Sequence, residues 1–197
     1  MIDTVRFALH GHADLGGIIL FAAVIFVTTK MMFWAQQPYY TLLNLPLPWF
    51  GILTAAGLLG GGLGGHFGHR LDGKHDNIAV LKGCFVYVLG VCLVCGLWPN
   101  AGTVLLLLSG SVIFGLGMPK VQEALNQRAP AARRATILST ASLMTHIFSV
   151  PMLVATGWLT ERHGVQASLL AMAALMAVGG SSALALVRRR RILRGLL

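Results

Sequence analysis

Residues 15–35 read LGGIILFAAVIFVTTKMMFWA, with Lys30 the single charge in the stretch. A helix needs about 20 mostly apolar residues to cross the roughly 30 Å hydrocarbon core of a bilayer. This stretch satisfies both length and composition. Reading outward finds five more such runs, at about residues 47–67, 78–98, 101–119, 136–156 and 166–187. The connectors Gln36-Gln37-Pro38, Leu45-Pro46, Trp98-Pro99-Asn100 and Arg128-Ala129-Pro130 carry prolines. Proline lacks the amide hydrogen that a helix needs and crowds the preceding turn, so these points read as breaks. No connector is long enough to hold a soluble domain. The expectation is an all-α membrane protein, with six transmembrane helices in a single domain over residues 1–197.

Composition agrees with that expectation. Of 197 residues, 56% are hydrophobic and only 11% are charged, against about 25% charged in soluble proteins. Such a chain is too apolar for disorder and too poor in charge to coat a water-soluble globule. The net charge of +9 would suit nucleic acid, but the charges sit at the margins of apolar runs. Arg188-Arg189-Arg190-Arg191 directly abuts the last run. It reads as an anchor on anionic headgroups, worth about 1 kcal/mol per basic residue. The expected partner is therefore the lipid bilayer and not a nucleic acid.

Orientation follows from Lys and Arg, which cytoplasmic loops retain. Six spans put both termini on one side. Arg6, Arg70, Lys74 and Lys82 fall on that side, as do Lys120, Arg128, Arg133 and Arg134, and finally Arg188–Arg191 with Arg194. Only Lys30 and Arg162 fall opposite. Both ends are expected in the cytoplasm, in a bacterial plasma (inner) membrane. The first run is too long and too late for a cleaved signal peptide.

The chain also repeats itself. Gly61-Gly62-Leu63-Gly64-Gly65-His66-Phe67-Gly68 and Gly157-Trp158-Leu159-Thr160-Glu161-Arg162-His163-Gly164 both read G-x-L-x-x-x-x-G. Their offset is close to half the chain. Two sets of three spans follow, repeat one at about 15–98 and repeat two at about 101–187, with a basic tail at 188–197. An odd number of spans per unit places the second unit inverted, as in the halves of many secondary transporters.

These features resemble the major facilitator superfamily, specifically its carboxy-terminal six-helix half. Residues 61–70, with Gly61, Leu63, Gly68 and Arg70, are similar to the family's signature loop, G-x-L-a-D-r-x-G-r-R. The acidic position is Gly65 and the first basic position is His66, so the charge-relay part of that loop is missing. The run Asn126-Gln127-Arg128-Ala129-Pro130 through Arg134-Ala135-Thr136-Ile137-Leu138-Ser139 resembles the loop before the penultimate helix. Pro151 with residues 157–164, and Trp34 with Gln36-Gln37-Pro38-Tyr39, resemble further family segments. The resemblance implies secondary transport of a small solute. It implies a cavity lined by the first and fourth helices of the half and flanked by the second and fifth, with the third and sixth facing lipid. Family members carry about twelve helices as two halves; this chain has the helices of one. The expected protein partner is an amino-terminal half or a second copy.

Polar groups inside a membrane are expensive, so each one raises a functional reading beside a structural one. Lys30, with Thr28 and Thr29 before it, either faces an anionic solute or a proton partner, or snorkels to the outer interface. His146 lies near the middle of the fifth run, beside Thr145 and at helical spacing from Ser142 and Ser149. It either titrates during transport or bonds a neighbouring helix. Ser109 and Ser111 either touch solute or bond back to their own helix. Gln36 and Gln37 read as a helix cap, and Glu161 with Arg162 as a solvated pair. No Asp or Glu lies well inside any expected run.

Cys84, Cys92 and Cys95 share the third run. Cys92-Leu93-Val94-Cys95 has metal or redox spacing, but an apolar helix without a second ligand pair reads as buried reduced thiols. His10, His12, His66, His69, His75 and His163 have no metal-ligand spacing on a common face. There is no phosphate-cradling motif. No metal, no cofactor and no enzymatic activity are expected. The competing readings are a non-transporting membrane fragment or interaction subunit, and an intramembrane serine protease pairing Ser109 with His146. Leu107-Leu108 precedes that serine where such enzymes favour a glycine.

Overall fold

The computed structural model describes residues 13–70 and 76–194. Among these it is all-helical, without strands. The helices are α1 (Ala13–Leu42), α2 (Leu47–Arg70), α3 (Asn77–Leu97), α4 (Ala101–Arg128) and α5 (Arg134–Arg194), with a short 3-10 turn at Ala131–Arg133 before α5. Each of the five is long and apolar enough to cross a membrane. The chain is thus compatible with a multi-pass membrane protein. Arg6, His10, His12, Lys74, His75 and the tail from Gly195 lie outside the described residues.

Five helices stand where six runs were expected. The difference lies in α5, which has 61 residues and would be about 90 Å long if straight. It is not straight. Gly164 has φ 82° and ψ 162°, outside any helical region. Ser168 Oγ then donates to the Thr156 carbonyl at 3.3 Å. Twelve residues along an unbroken helix would separate these by about 18 Å, so the chain doubles back at Gly164. Residues 134–163 and 165–194 form two arms of one helical hairpin.

The connectors with Pro46, Pro99 and Pro130 do fall between helices, but other prolines do not stop theirs. Pro38 lies inside α1, Pro119 inside α4 and Pro151 inside α5. Spanning helices tolerate proline where neighbouring groups satisfy the freed carbonyl. What stops α1 is Asn44, whose φ of 54° is left-handed. The Leu45 amide bonds the Tyr40 carbonyl and the Asn44 amide bonds the Thr41 carbonyl, both at 3.0 Å. That pair of bonds is a Schellman cap. Gln36 and Gln37 therefore do not cap the helix. Gln36 is buried and accepts from the Tyr40 hydroxyl at 3.4 Å, while the Gln37 carbonyl accepts from Thr41.

α1 forms the centre. Ile19, Ile25, Met31, Met32, Tyr39 and Tyr40 are all within 2% of complete burial. Its C-terminal end is tied to the α3–α4 corner: Tyr39 Oη donates to the Cys95 carbonyl at 3.2 Å and lies 2.6 Å from Thr103 Oγ1. Asn100 caps α4 there, its Oδ1 accepting from the amides of Gly102 and Thr103. In return Thr103 Oγ1 accepts from the Asn100 amide, completing a capping box. α2 is peripheral, with Leu58 and Leu59 60% and 72% exposed. Its main partner is α4, as α5 is the main partner of α1.

Glycine makes the α2–α4 contact. A Cβ on Gly64 would overlap the Val112 carbonyl, and one on Gly115 would overlap the Gly61 carbonyl oxygen. Helices in lipid use such small residues to bring backbones together. The stretch 61–70, whose first seven residues fall in the expected second run and which the resemblance likens to a signature loop, is the last part of α2. Gly61 lies against Ser111 and Gly68 against Leu116. Leu63 points outward, 59% exposed, and the Arg70 guanidinium sits 5.8 Å from the Phe67 ring centroid.

Candidate functional site

A cleft of about 420 Å³ opens among α1, α2, α4 and the first arm of α5. Helical spacing builds its walls. Phe26, Lys30 and Phe33 lie at i, i+4 and i+7 on α1, and Ser142, Thr145 and His146 at i, i+3 and i+4 on α5. Residues so spaced share one face. Ser111 and Phe114 come from α4, with Leu58 and Gly61 from α2.

Most of the wall is apolar and aromatic. Phe26 and Phe114 meet edge to face with centroids 5.3 Å apart, and Phe33 meets Trp34 at 5.8 Å. The hydroxyls of Thr29 and Thr145 donate to carbonyls of their own helices, Ile25 and Phe26 for the first and Ala141 for the second. Lys30 and His146 are the ionisable groups of the wall, and no acidic residue lines it.

The structure brings together Thr29, Lys30, Ser111 and His146, together with Gly61. Thr28 and Ser109 stand apart. Thr28 donates to the Val24 carbonyl at 2.9 Å and faces a second, apolar cavity of about 310 Å³ beside Met152, Met172 and Met176. Ser109 bonds Tyr87 Oη at 2.9 Å and donates to the Leu106 carbonyl at 2.5 Å, toward α3. It does not line the cleft with His146, so the nucleophile–base pair of the protease reading is not assembled here. Glu161 contributes to a third cavity with Trp34 and Thr156, while Arg162 lies over the Trp158 ring.

Two features escaped the sequence reading. The aromatic wall is one. The other is Lys120, expected in a loop after Pro119 but fully buried in α4, with Nζ 3.6 Å from Glu123 Oε2. α4 continues to Arg128, so an acid lies inside an apolar helix, near its end. At 28 residues α4 is about 42 Å long, longer than the roughly 30 Å hydrocarbon core. The three cysteines are free and buried in α3, and Cys95 Sγ donates to the Thr103 carbonyl at 3.5 Å. Among the described residues no group of three His, Cys, Asp or Glu has metal-binding geometry.

Comparison of the chain with protein-family models, with curated proteins and with solved structures finds no match.

Proposed function

We propose that this chain is one half of a secondary transporter, of the kind whose major-facilitator resemblance is carried by residues 61–70 and 126–139, moving a small solute across a bilayer. One observation carries the reading: Lys30, Ser111 and His146, from three separate elements, share a cleft at mid-helix depth. Lys30 is one residue past the midpoint of the apolar segment Gly16–Leu42. Ser111 is within four residues of the midpoint of Ala101–Arg128, and His146 is within three of the middle of the first α5 arm. Transporter sites lie near the bilayer midplane. Lys30 is twelve residues from the end of α1, about 18 Å.

Counting the α5 arms separately gives six crossings and both termini on one side, with the basic loops and tail in the cytoplasm of a bacterial cell. The two inverted repeats rest on the shared G-x-L-x-x-x-x-G pattern at residues 61–68 and 157–164. The cleft draws on α1, α4, α2 and the first α5 arm, with nothing from α3 or the second arm, as the family pattern requires. Its open side calls for a companion bundle, an amino-terminal half or a second copy.

The test is flux in proteoliposomes, with the chain alone and co-expressed with an amino-terminal half. A panel of labelled sugars, amino acids, organic anions and organic cations serves as probe. Saturable uptake of at least one member is expected, reduced tenfold or more in Lys30→Ala. No saturable uptake of any member in either assembly would refute transport and leave an interaction subunit as the better reading.

A further inference from the structure

The composition of the cleft also specifies a chemical class of ligand. Resting on the transport reading for its biological use, we propose that the cleft selects an amphipathic anion: one negative group beside Lys30 and His146, and an apolar, preferably aromatic, body against Phe26, Phe33, Trp34 and Phe114. Three observations converge. The charge on Lys30 has no carboxylate in the wall to balance it, because no acidic residue lines the cleft. Lys30 is half-buried among apolar and aromatic side chains, where its charge is screened less than in bulk water, so a bound anion would be attracted more strongly than at an open surface. A cationic ligand would instead meet like charge.

The wall hydroxyls add little selectivity for a sugar or polyol. Thr29 and Thr145 already spend their donors on helix carbonyls, leaving Ser111 and Ser142 as the remaining hydroxyls of the wall. A polyol would give up several water hydrogen bonds for few replacements. The aromatic surface, by contrast, rewards a flat apolar body, and Trp34 remains 54% exposed to receive it. At about 420 Å³ the space lies within the 300–1,000 Å³ range of small-molecule sites.

This chemistry has two sources, a free organic acid or an anionic lipid headgroup with its acyl chains. Binding of radiolabelled 2-naphthoate separates them. The full chain is placed in nanodiscs of phosphatidylcholine alone, with uptake by empty discs subtracted. Saturable binding is expected, at least tenfold weaker in Lys30→Met and retained in Lys30→Arg. 2-Naphthylmethanol and 2-naphthylmethylammonium should compete at least tenfold less well than unlabelled 2-naphthoate. The measurement is then repeated in discs containing phosphatidylglycerol. Displacement of naphthoate there, with lipid retained on the wild type and not on Lys30→Met by native mass spectrometry, identifies the lipid source. Undiminished binding identifies a free acid, and either result supports the site.

Equal or tighter competition by the ammonium or the alcohol would overturn the proposal. So would unchanged binding by Lys30→Met, or loss of binding in a Lys30→Arg variant that elutes as folded protein. The binding assay does not depend on flux. Anion binding without uptake of any solute would sink the transport reading alone, while saturable uptake with a preference for cations would sink this inference alone.

Discussion

Residues 61–68 and 157–164 share the pattern G-x-L-x-x-x-x-G, yet their glycines do opposite work. In the first copy both glycines are helical and pressed against α4: Gly61 meets Ser111 and Gly68 meets Leu116. In the second, neither has a neighbour that a Cβ would touch. Gly157 lies in the first arm of α5, and Gly164 is where the chain leaves the helix with φ 82°. One copy uses the missing side chain for close approach of two backbones. The other uses it for a backbone conformation that L side chains rarely adopt. A repeat in sequence therefore marks corresponding places along two units without assigning corresponding jobs.

Substitutions should rank these roles. The largest effect belongs to the α2–α4 contact. Gly115→Leu forces the Gly61 carbonyl away, and a packed interface resists such insertion by about 3 kcal/mol. In detergent, its thermal unfolding midpoint should fall by on the order of 10 °C. A fall no larger than that of an exposed α2 variant such as Leu59→Ala would break the account of this contact. Gly164→Val comes next. Its φ and ψ lie in a region nearly restricted to glycine, where a substituted residue costs about 2 kcal/mol. The midpoint should fall by about 5 °C, and limited proteolysis should cut between the two α5 arms. Resistance to proteolysis together with an unshifted midpoint would mean that the reversal does not depend on this glycine.

Gly157→Ala should be the smallest change. Open space surrounds the position, and alanine is the better helix former by up to about 1 kcal/mol. The midpoint should stay level or rise slightly. A loss comparable with that of Gly115→Leu would mean that both copies are packing devices after all.

Much of the fold was legible because its signals are additive along the chain. Each apolar run is long, and a few misjudged residues do not alter its reading. The helix ends were less legible. Pro38 looked like a stop, but the anchored Tyr39 and Tyr40 continue the helix, and the true stop is the left-handed Asn44. Proline chemistry is local, whereas the burial that overrides it comes from residues 95 and 103. The glycine-rich stretch up to residue 67 was legible as part of the second run, but only the opposing α4 backbone shows why its glycines are there.

For the site, cost in a membrane was the useful signal. It singled out Lys30 and His146, which do meet in one cleft. It could not tell Ser109 from Ser111. Two residues along a helix turn the side chain by about 200°, so one faces Tyr87 and the other the cleft. The aromatic wall had no signal of its own, because Phe and Trp are ordinary members of apolar runs. Lys120 was hidden by the assumption that Pro119 ends its helix.

That pair of serines offers the most direct measurement of the central claim, that polar residues from several helices line one water-accessible cleft at membrane depth. In a variant whose Cys84, Cys92 and Cys95 are replaced by alanine, Ser109→Cys and Ser111→Cys sit at nearly the same depth on opposite faces of α4. Labelling with a membrane-impermeant maleimide in native membranes should modify Ser111→Cys at least tenfold faster than Ser109→Cys. Equal rates, or faster reaction at position 109, would contradict the cleft as the aqueous face of this protein.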